Sequence, residues 1–223
     1  MKLSQIFYCF FAFCLCGSEP TLPFASSVNA GTRPTIIVDA GHGGRDEGAK
    51  RENPFCVEKR VALQTARLVK KHLDQLGYHV VMTRETDAYI PVARRVEIAK
   101  QADAQLFVSV HFNSCRSPLV QGVEIFFYDS KEGKKRSLAS KRLAESILTR
   151  VIRRTSAHSR GVKKGNHLFV IRETPMPAVL VEGGFISHPG ERGNLRSSEY
   201  QDKIARGIAD GIDFYFKKIP ASK

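Results

Sequence analysis

No stretch of this chain is apolar for the ~20 residues that a membrane-spanning helix needs. The apolar run Ile6 to Cys16 is too short, so no transmembrane helix is expected. Cysteine is sparse: of five, Cys9, Cys14 and Cys16 fall in the first residues, which leaves Cys56 and Cys115. Two thiols cannot build a disulfide framework. They either form one bridge in an oxidising compartment or stay free, because bridging demands a specific Cα geometry. No Ser-x-x-Lys occurs anywhere, so a serine acyl-enzyme of that type has little support. Negative charge is also short, with 22 Asp and Glu against 35 Lys and Arg and a formal net charge of +13. An anionic partner fits this excess, whether nucleic acid, acidic lipid or wall polymer; a well-solvated basic surface fits it equally. Internal repeats and low-complexity segments are absent.

What is present divides into a leader and one domain. The 223 residues suit a single domain plus a targeting segment. Lys2 followed by the Ile6–Cys16 run reads as a secretory signal. Val28-Asn29-Ala30 satisfies the small-x-small rule for cleavage although it lies far from the apolar run, and Ala25 is a second candidate. Neither Cys14 nor Cys16 follows a good lipoprotein box. Residues 1–30 are therefore expected to be a removed signal peptide, and residues 31–223 the functional domain, exported and monomeric.

Within that domain the apolar pattern alternates between short runs and helical spacing. Strands are expected at Thr35–Val38, Tyr78–Met82, Leu106–Val110, Val123–Tyr128, Leu168–Ile171 and Ala178–Val181. Helices are expected at Glu58–Leu76, which Gly77 ends, and at Tyr89–Lys100, Leu138–Arg154 and Ser198–Phe216. Asp39 to Phe55, rich in glycine and charge, reads as a loop. Alternating strands and helices imply an α/β fold: a twisted, mostly parallel mixed sheet with helices on both faces. In such sheets ligands gather beyond the carboxyl ends of the strands, and His42, His111 and Glu182 each follow a strand directly.

Those residues share one chemistry. His42 lies between glycines, which let backbone approach a ligand closely. His111 leaves a buried strand, with Asn113 two residues on and on the same side. Glu58 opens a helix. Two imidazoles and a carboxylate make a hydrolytic zinc set with an open fourth position, and a separate carboxylate serves as acid–base. Glu182 suits that second task. It ends the apolar run Pro177–Val181, where an unpaired buried carboxylate is costly; it must meet a cation, pair with Arg or Lys, or hold a raised pKa at a cleft. A salt-bridged structural acid is the plainer account. Asp39 either orients His42 through its second ring nitrogen or caps the loop. Of the other histidines, His72 is expected on a solvated helix face, His79 at a strand start, His158 and His167 in a basic loop region, and His188 in a turn before Pro189; structural or surface roles suit all five.

The blocks Val38–Gly44, Glu58-Lys59, Thr83-Arg84, Ser109–Asn113 and Pro177–Ser187, in this order and spacing, resemble the signature blocks of the zinc-dependent N-acetylmuramoyl-L-alanine amidases (Amidase_3) of the bacterial periplasm. The resemblance runs from about Pro34 to Phe216. It implies one α/β catalytic domain, Zn2+ held at His42, Glu58 and His111, and a catalytic carboxylate at Glu182. The reaction implied is hydrolysis of the amide between the lactyl group of N-acetylmuramic acid and L-alanine, with peptidoglycan or muropeptides as substrate, division or envelope proteins as partners, and wall trimming and cell separation as the setting. Asn113 is expected to hydrogen-bond substrate. Two features depart from better-known members. Ser114 to Ser137 is short and already contains a strand, so no inserted helix is expected to plug the site. No wall-binding module is expected beside the domain, so targeting is expected from the domain itself or from partners.

One region stands apart. Between Ser130 and Lys164, twelve Lys or Arg face only Glu132 and Glu145. This stretch suits stem-peptide carboxylates, acidic headgroups or nucleic acid, or is a plain solvated helix. Its scarcity of aromatics weighs against stacking on single-stranded nucleic acid, and no nucleic-acid partner is expected. Two other classes remain beside the amidase: a zinc peptidase cutting within the stem, and a non-catalytic envelope-binding protein.

Overall fold

Continuous apolar runs, rather than alternating ones, suit strands covered on both faces, and the chain places four such runs at its centre. The computed structural model describes residues 34–52, 55–130 and 133–218. The expected signal peptide lies outside the described residues. In chain order the elements are β1 (Thr35–Ala40), β2 (Lys50–Arg51), β3 (Cys56–Val57), α1 (Glu58–Gln75), β4 (His79–Met82), α2 (Val92–Gln101), β5 (Leu106–Asn113), β6 (Val123–Phe127), α3 (Lys134–Thr155), β7 (Ser159–Lys164), α4 (Phe169–Glu173), β8 (Ala178–Phe185), α5 (Pro189–Leu195) and α6 (Ser198–Lys218).

Six strands form one sheet in the order β4-β1-β5-β8-β6-β7, and β2 pairs with β3 in a small ribbon. β4, β1, β5 and β8 run parallel, while β6 lies antiparallel to β8 and parallel to β7. Side chains alternate between the faces. Val38, Val108, Ile125 and Val181 point into the larger core with Ala66 and Val69 of α1, Ile147 of α3 and Ile208 of α6. Ile37, Phe107, Ala178 and Leu180 point into a smaller one, closed by Ala99 of α2 and by Val170 and Ile171 of α4. The mixed α/β sheet with helices on both faces matches the expectation. Among the described residues no helix is long and apolar enough to cross a membrane.

Three local expectations are corrected, and the expected turn at His188 is shown to lead into a helix. Leu168–Ile171 is not a strand: helix α4 runs Phe169–Glu173. A four-residue apolar run does not distinguish the two by periodicity, and here Val170 and Ile171 are buried while Phe169 is 37% exposed, one side only. The basic loop around His158 contains β7, an edge strand whose charged residues suit an unpaired margin. The turn at His188 opens helix α5: Pro189 occupies the first helical turn, and His188 Nδ1 accepts from Glu191 N at 3.1 Å, a cap of the usual kind. His72 is buried rather than solvated, its Nε2 2.6 Å from Asp202 of α6.

Candidate metal centre

The first ligand loop is shaped before any ligand is considered. Near the end of β1, the buried carboxylate of Asp39 accepts from Thr83 Oγ1 at 2.6 Å, Ser109 Oγ at 2.5 Å and Arg95 Nη1 at 2.6 Å. Burial alone would raise its pKa, but the Arg95 guanidinium and the two hydroxyls outweigh that and hold it below the ordinary carboxylate value. Asp39 thus orients Arg95 and not His42, contrary to both expectations. Arg95 in turn donates to the carbonyls of Ala40 at 2.6 Å and His42 at 2.7 Å. Arg84 donates to the carbonyls of Ala40, Gly41 and Lys59 at 2.9, 2.7 and 2.8 Å. Held this way, His42 adopts φ 59°, a left-handed conformation that histidine tolerates better than most side chains.

The ring of His42 meets two carboxylates. Its Nε2 is 2.9 Å from Glu58 Oε1, and its Nδ1 is 2.9 Å from Asp46 Oδ2. The Asp46 contact is electrostatic and not aligned as a hydrogen bond. Burial would lower the His42 pKa, yet Glu58 and Asp46 together raise it. Asp46 therefore has the orienting place that the sequence reading considered for Asp39.

Glu58 opens α1, where the helix dipole favours a carboxylate. Its Oε2 accepts from Ala49 N at 2.8 Å, and its Oε1 accepts from Phe112 N at 3.2 Å. His111, at the end of β5, puts Nδ1 2.9 Å from the same Oε1. Burial opposes ionisation of Glu58, but the two imidazoles overcome it and hold the carboxyl far below its usual range. Donor atoms of His42, Glu58 and His111 all lie within 4.8 Å of one another, and the rings meet edge to face with centroids 4.8 Å apart. Two glycines permit this. A Cβ at Gly41 would overlap the His111 ring, and one at Gly48 would come within 2.6 Å of both Glu58 Oε2 and His42 Cδ2. Among the described residues this is the single cluster of three or more such donors.

Register carries the site sideways. His111 pairs with Glu182 on β8, and Glu182 pairs with Glu124 on β6, so the three share a face and a row. Glu182 is half-buried, and its Oε2 is shielded from solvent with no hydrogen-bond partner. Burial first, then the charges of Glu58 and Glu124, push its pKa well above the usual carboxylate range. The salt-bridge account of Glu182 finds no partner among the described residues. Glu124 is the opposite: buried, it accepts from Asn113 Nδ2 at 2.9 Å, Arg160 Nε at 2.7 Å and Lys163 Nζ at 2.6 Å. Asn113 also accepts from Ser114 N at 2.7 Å, so its amide is tied into this network. Beside His42 and His111 a cleft of about 220 Å³ is walled by Tyr89, Val92, Leu168 and Phe169. Cys56 and Cys115 are both free.

His42, Glu58, His111 and Glu182, the residues expected from sequence, lie together here. Asp46, Arg95 and Glu124 carry no expectation from sequence, and Arg84 belongs to the Thr83-Arg84 block without an expected task. Glu124 had one usable signal: an acid inside the apolar strand Val123–Phe127, the same oddity that marked Glu182.

Known proteins resemble the chain in sequence and in fold. YqiI of Bacillus subtilis is 36% identical over 203 residues, covering 91% of this chain and 95% of the relative. The N-acetylmuramoyl-L-alanine amidase LytC of Bacillus subtilis is 34% identical over 183 residues, which is 82% of this chain but only 36% of that longer protein. Among solved structures, the catalytic domain of CwlV, the N-acetylmuramoyl-L-alanine amidase of Bacillus (Paenibacillus) polymyxa var. colistinus, superposes with a TM-score of 0.76 at 36% identity, covering 82% of this chain and 98% of that domain. The family model described as N-acetylmuramoyl-L-alanine amidase matches residues 36–213; the chain belongs to that family of cell-wall hydrolases.

Proposed function

We propose that the protein cleaves the amide between the lactyl group of N-acetylmuramic acid and L-alanine with a zinc ion held by His42, Glu58 and His111 and with Glu182 as acid–base. The donor set fits the metal. Two imidazole nitrogens and one carboxylate oxygen converge, helix α1 and two backbone amides fix the carboxylate, and glycines at 41 and 48 clear the space around the rings. Bound there, zinc would acidify a water and polarise the lactyl carbonyl. The rest is the work of the chain. Asp46 orients His42. Glu182 takes the proton of the attacking water and returns it to the departing alanine nitrogen; its elevated proton affinity suits that shuttle. Asn113 holds Glu124 beside Glu182, with its side-chain oxygen turned to the Ser114 amide, and forms the polar edge of the substrate site.

The observation that carries this reading is the orphaned carboxylate oxygen of Glu182 beside three converging ligands. Export through the residue 1–30 leader would deliver the enzyme to the periplasm, where the wall is its substrate and cell separation its outcome. The test is mass spectrometry of peptidoglycan digested with and without chelator, with metal content measured alongside. Free muramic lactyl carboxylates that appear only with metal support the amidase. Shortened stems would mean a peptidase, and an unchanged polymer a binding protein.

A further inference from the structure

The basic stretch singled out in the sequence meets the catalytic row at one place. Reading across the sheet, His111 on β5, Glu182 on β8 and Glu124 on β6 pair in sequence. Two residues beyond Glu124, Phe126 pairs with Lys163 on β7, which puts Lys163 on the same face. Lys163 Nζ and Arg160 Nε both reach a single oxygen, Glu124 Oε2, at 2.6 and 2.7 Å. Two cations thus meet one carboxylate. Asp129, just past the end of β6, is taken by Lys164 at 2.7 Å.

Neither cation is exhausted by Glu124. An ammonium has three donors and a guanidinium five. Lys163 spends one among the described residues. Arg160 spends Nε, reaches the Gln121 carbonyl with Nη1 at 3.4 Å, and rests on the Phe185 ring at 5.1 Å. The side chains are 37% and 28% exposed, whereas that of Glu124 is 5% exposed, so the anchor is inside and the spare donors face outward. Neighbouring strands lie ~4.8 Å apart, so β7 is ~10 Å from the β8 strand that carries Glu182. An extended peptide advances ~3.5 Å per residue. A stem whose cleaved amide sits at Glu182 therefore brings its second residue ~7 Å along, with a carboxylate one or two bonds further.

We propose that Lys163 and Arg160, braced by Glu124, form an anion subsite for a free carboxylate on the second residue of the stem peptide; this rests on the amidase reading above. Glu124 sets the two cations, and the spare positive charge selects acidic over amidated stems.

The test compares two muramoyl tripeptides that differ only in whether the second stem residue carries a free α-carboxylate or its carboxamide. The zinc-loaded wild type is expected to show a lower KM for the carboxylate form by on the order of tenfold, with similar kcat. Lys163→Gln should collapse that preference, and Lys163→Arg should restore most of it; Arg160→Gln should weaken it in the same direction. A purely structural role for Lys163 would change both substrates alike. A wild type that cleaves both with equal KM, or a Lys163→Gln enzyme that keeps the full preference, overturns the subsite while leaving the amidase standing. A wild type with bound zinc that cleaves neither overturns both.

Discussion

Two acids on the same sheet have opposite fates. Asp39, near the end of β1, is surrounded by a guanidinium and two hydroxyls and stays charged. Glu182, two strands away on β8, has one oxygen buried without any donor and is driven toward its neutral form. Both follow apolar runs and look alike as sequence. The difference is what adjacent strands and helices supply: β5 and α2 give Asp39 Ser109 and Arg95, while β5 and β6 give Glu182 another ligand and another acid. A carboxylate with all its partners is structural; one deprived of them beside a cluster of metal-ligating groups is a candidate for chemistry, the role proposed above for Glu182.

The contrast breaks first in kinetics. Glu182→Gln is expected to keep zinc, by metal analysis, and to lose hydrolysis by about 10²–10⁴-fold, the usual contribution of a proton shuttle; near-normal turnover would remove Glu182 from its role. Next comes stability. Asp39→Ala leaves the Arg95 guanidinium buried without its counter-charge, which should cost about 3–5 kcal/mol, read as a lower urea midpoint. At pH 4.5, where the Glu182 carboxyl is still neutral in the folded protein, Glu182→Gln should change stability by less than about 1 kcal/mol, and equal losses at both sites would erase the distinction. Asp46→Ala, which frees the far side of the His42 ring, should weaken zinc binding by about 10–100-fold in a competition titration with a chromophoric chelator.

The smallest and most discriminating effect is in pH. For Asp39 the folded pKa lies below the ordinary 3.8, so its contribution is complete above that value and fades as pH falls through the lower folded pKa. For Glu182 the folded pKa lies above the ordinary 4.5, so in the metal-free protein its contribution is complete below that value and fades as pH rises through the higher folded pKa. Denaturation of chelated wild type and Glu182→Gln at several pH values should therefore show the substituted protein gaining on the wild type as pH rises above 4.5. A gap that stays constant would mean that the Glu182 carboxyl is not perturbed.

Much of this was legible in one dimension. The strands that deliver His42, His111 and Glu182 are runs of consecutive buried residues, and Glu58 sits where helical spacing begins. What escaped was whatever depended on a distant partner. Arg95 occupies an ordinary-looking amphipathic helix, and nothing in the order of residues says that its head turns inward to a carboxylate 56 positions away. His72 read as solvated among lysines because Asp202, 130 positions on, is invisible from its own helix. Leu168–Ile171 read as a strand because four apolar residues carry no period, and only packing on one side made it a helix. The same limit concealed Glu124, whose place opposite Glu182 depends on β6 running against β8.

The arginine bracing around residues 40–42 has a bearing on how the enzyme becomes competent. The carbonyls there are fastened by Arg84 and Arg95, and the carboxylate of Glu58 by amides of Ala49 and Phe112. These braces come from the chain itself, so under the zinc reading proposed above chelation is expected to empty the seat without dismantling it. A chain stripped of its ion should regain full activity on simple replenishment, with no refolding step between.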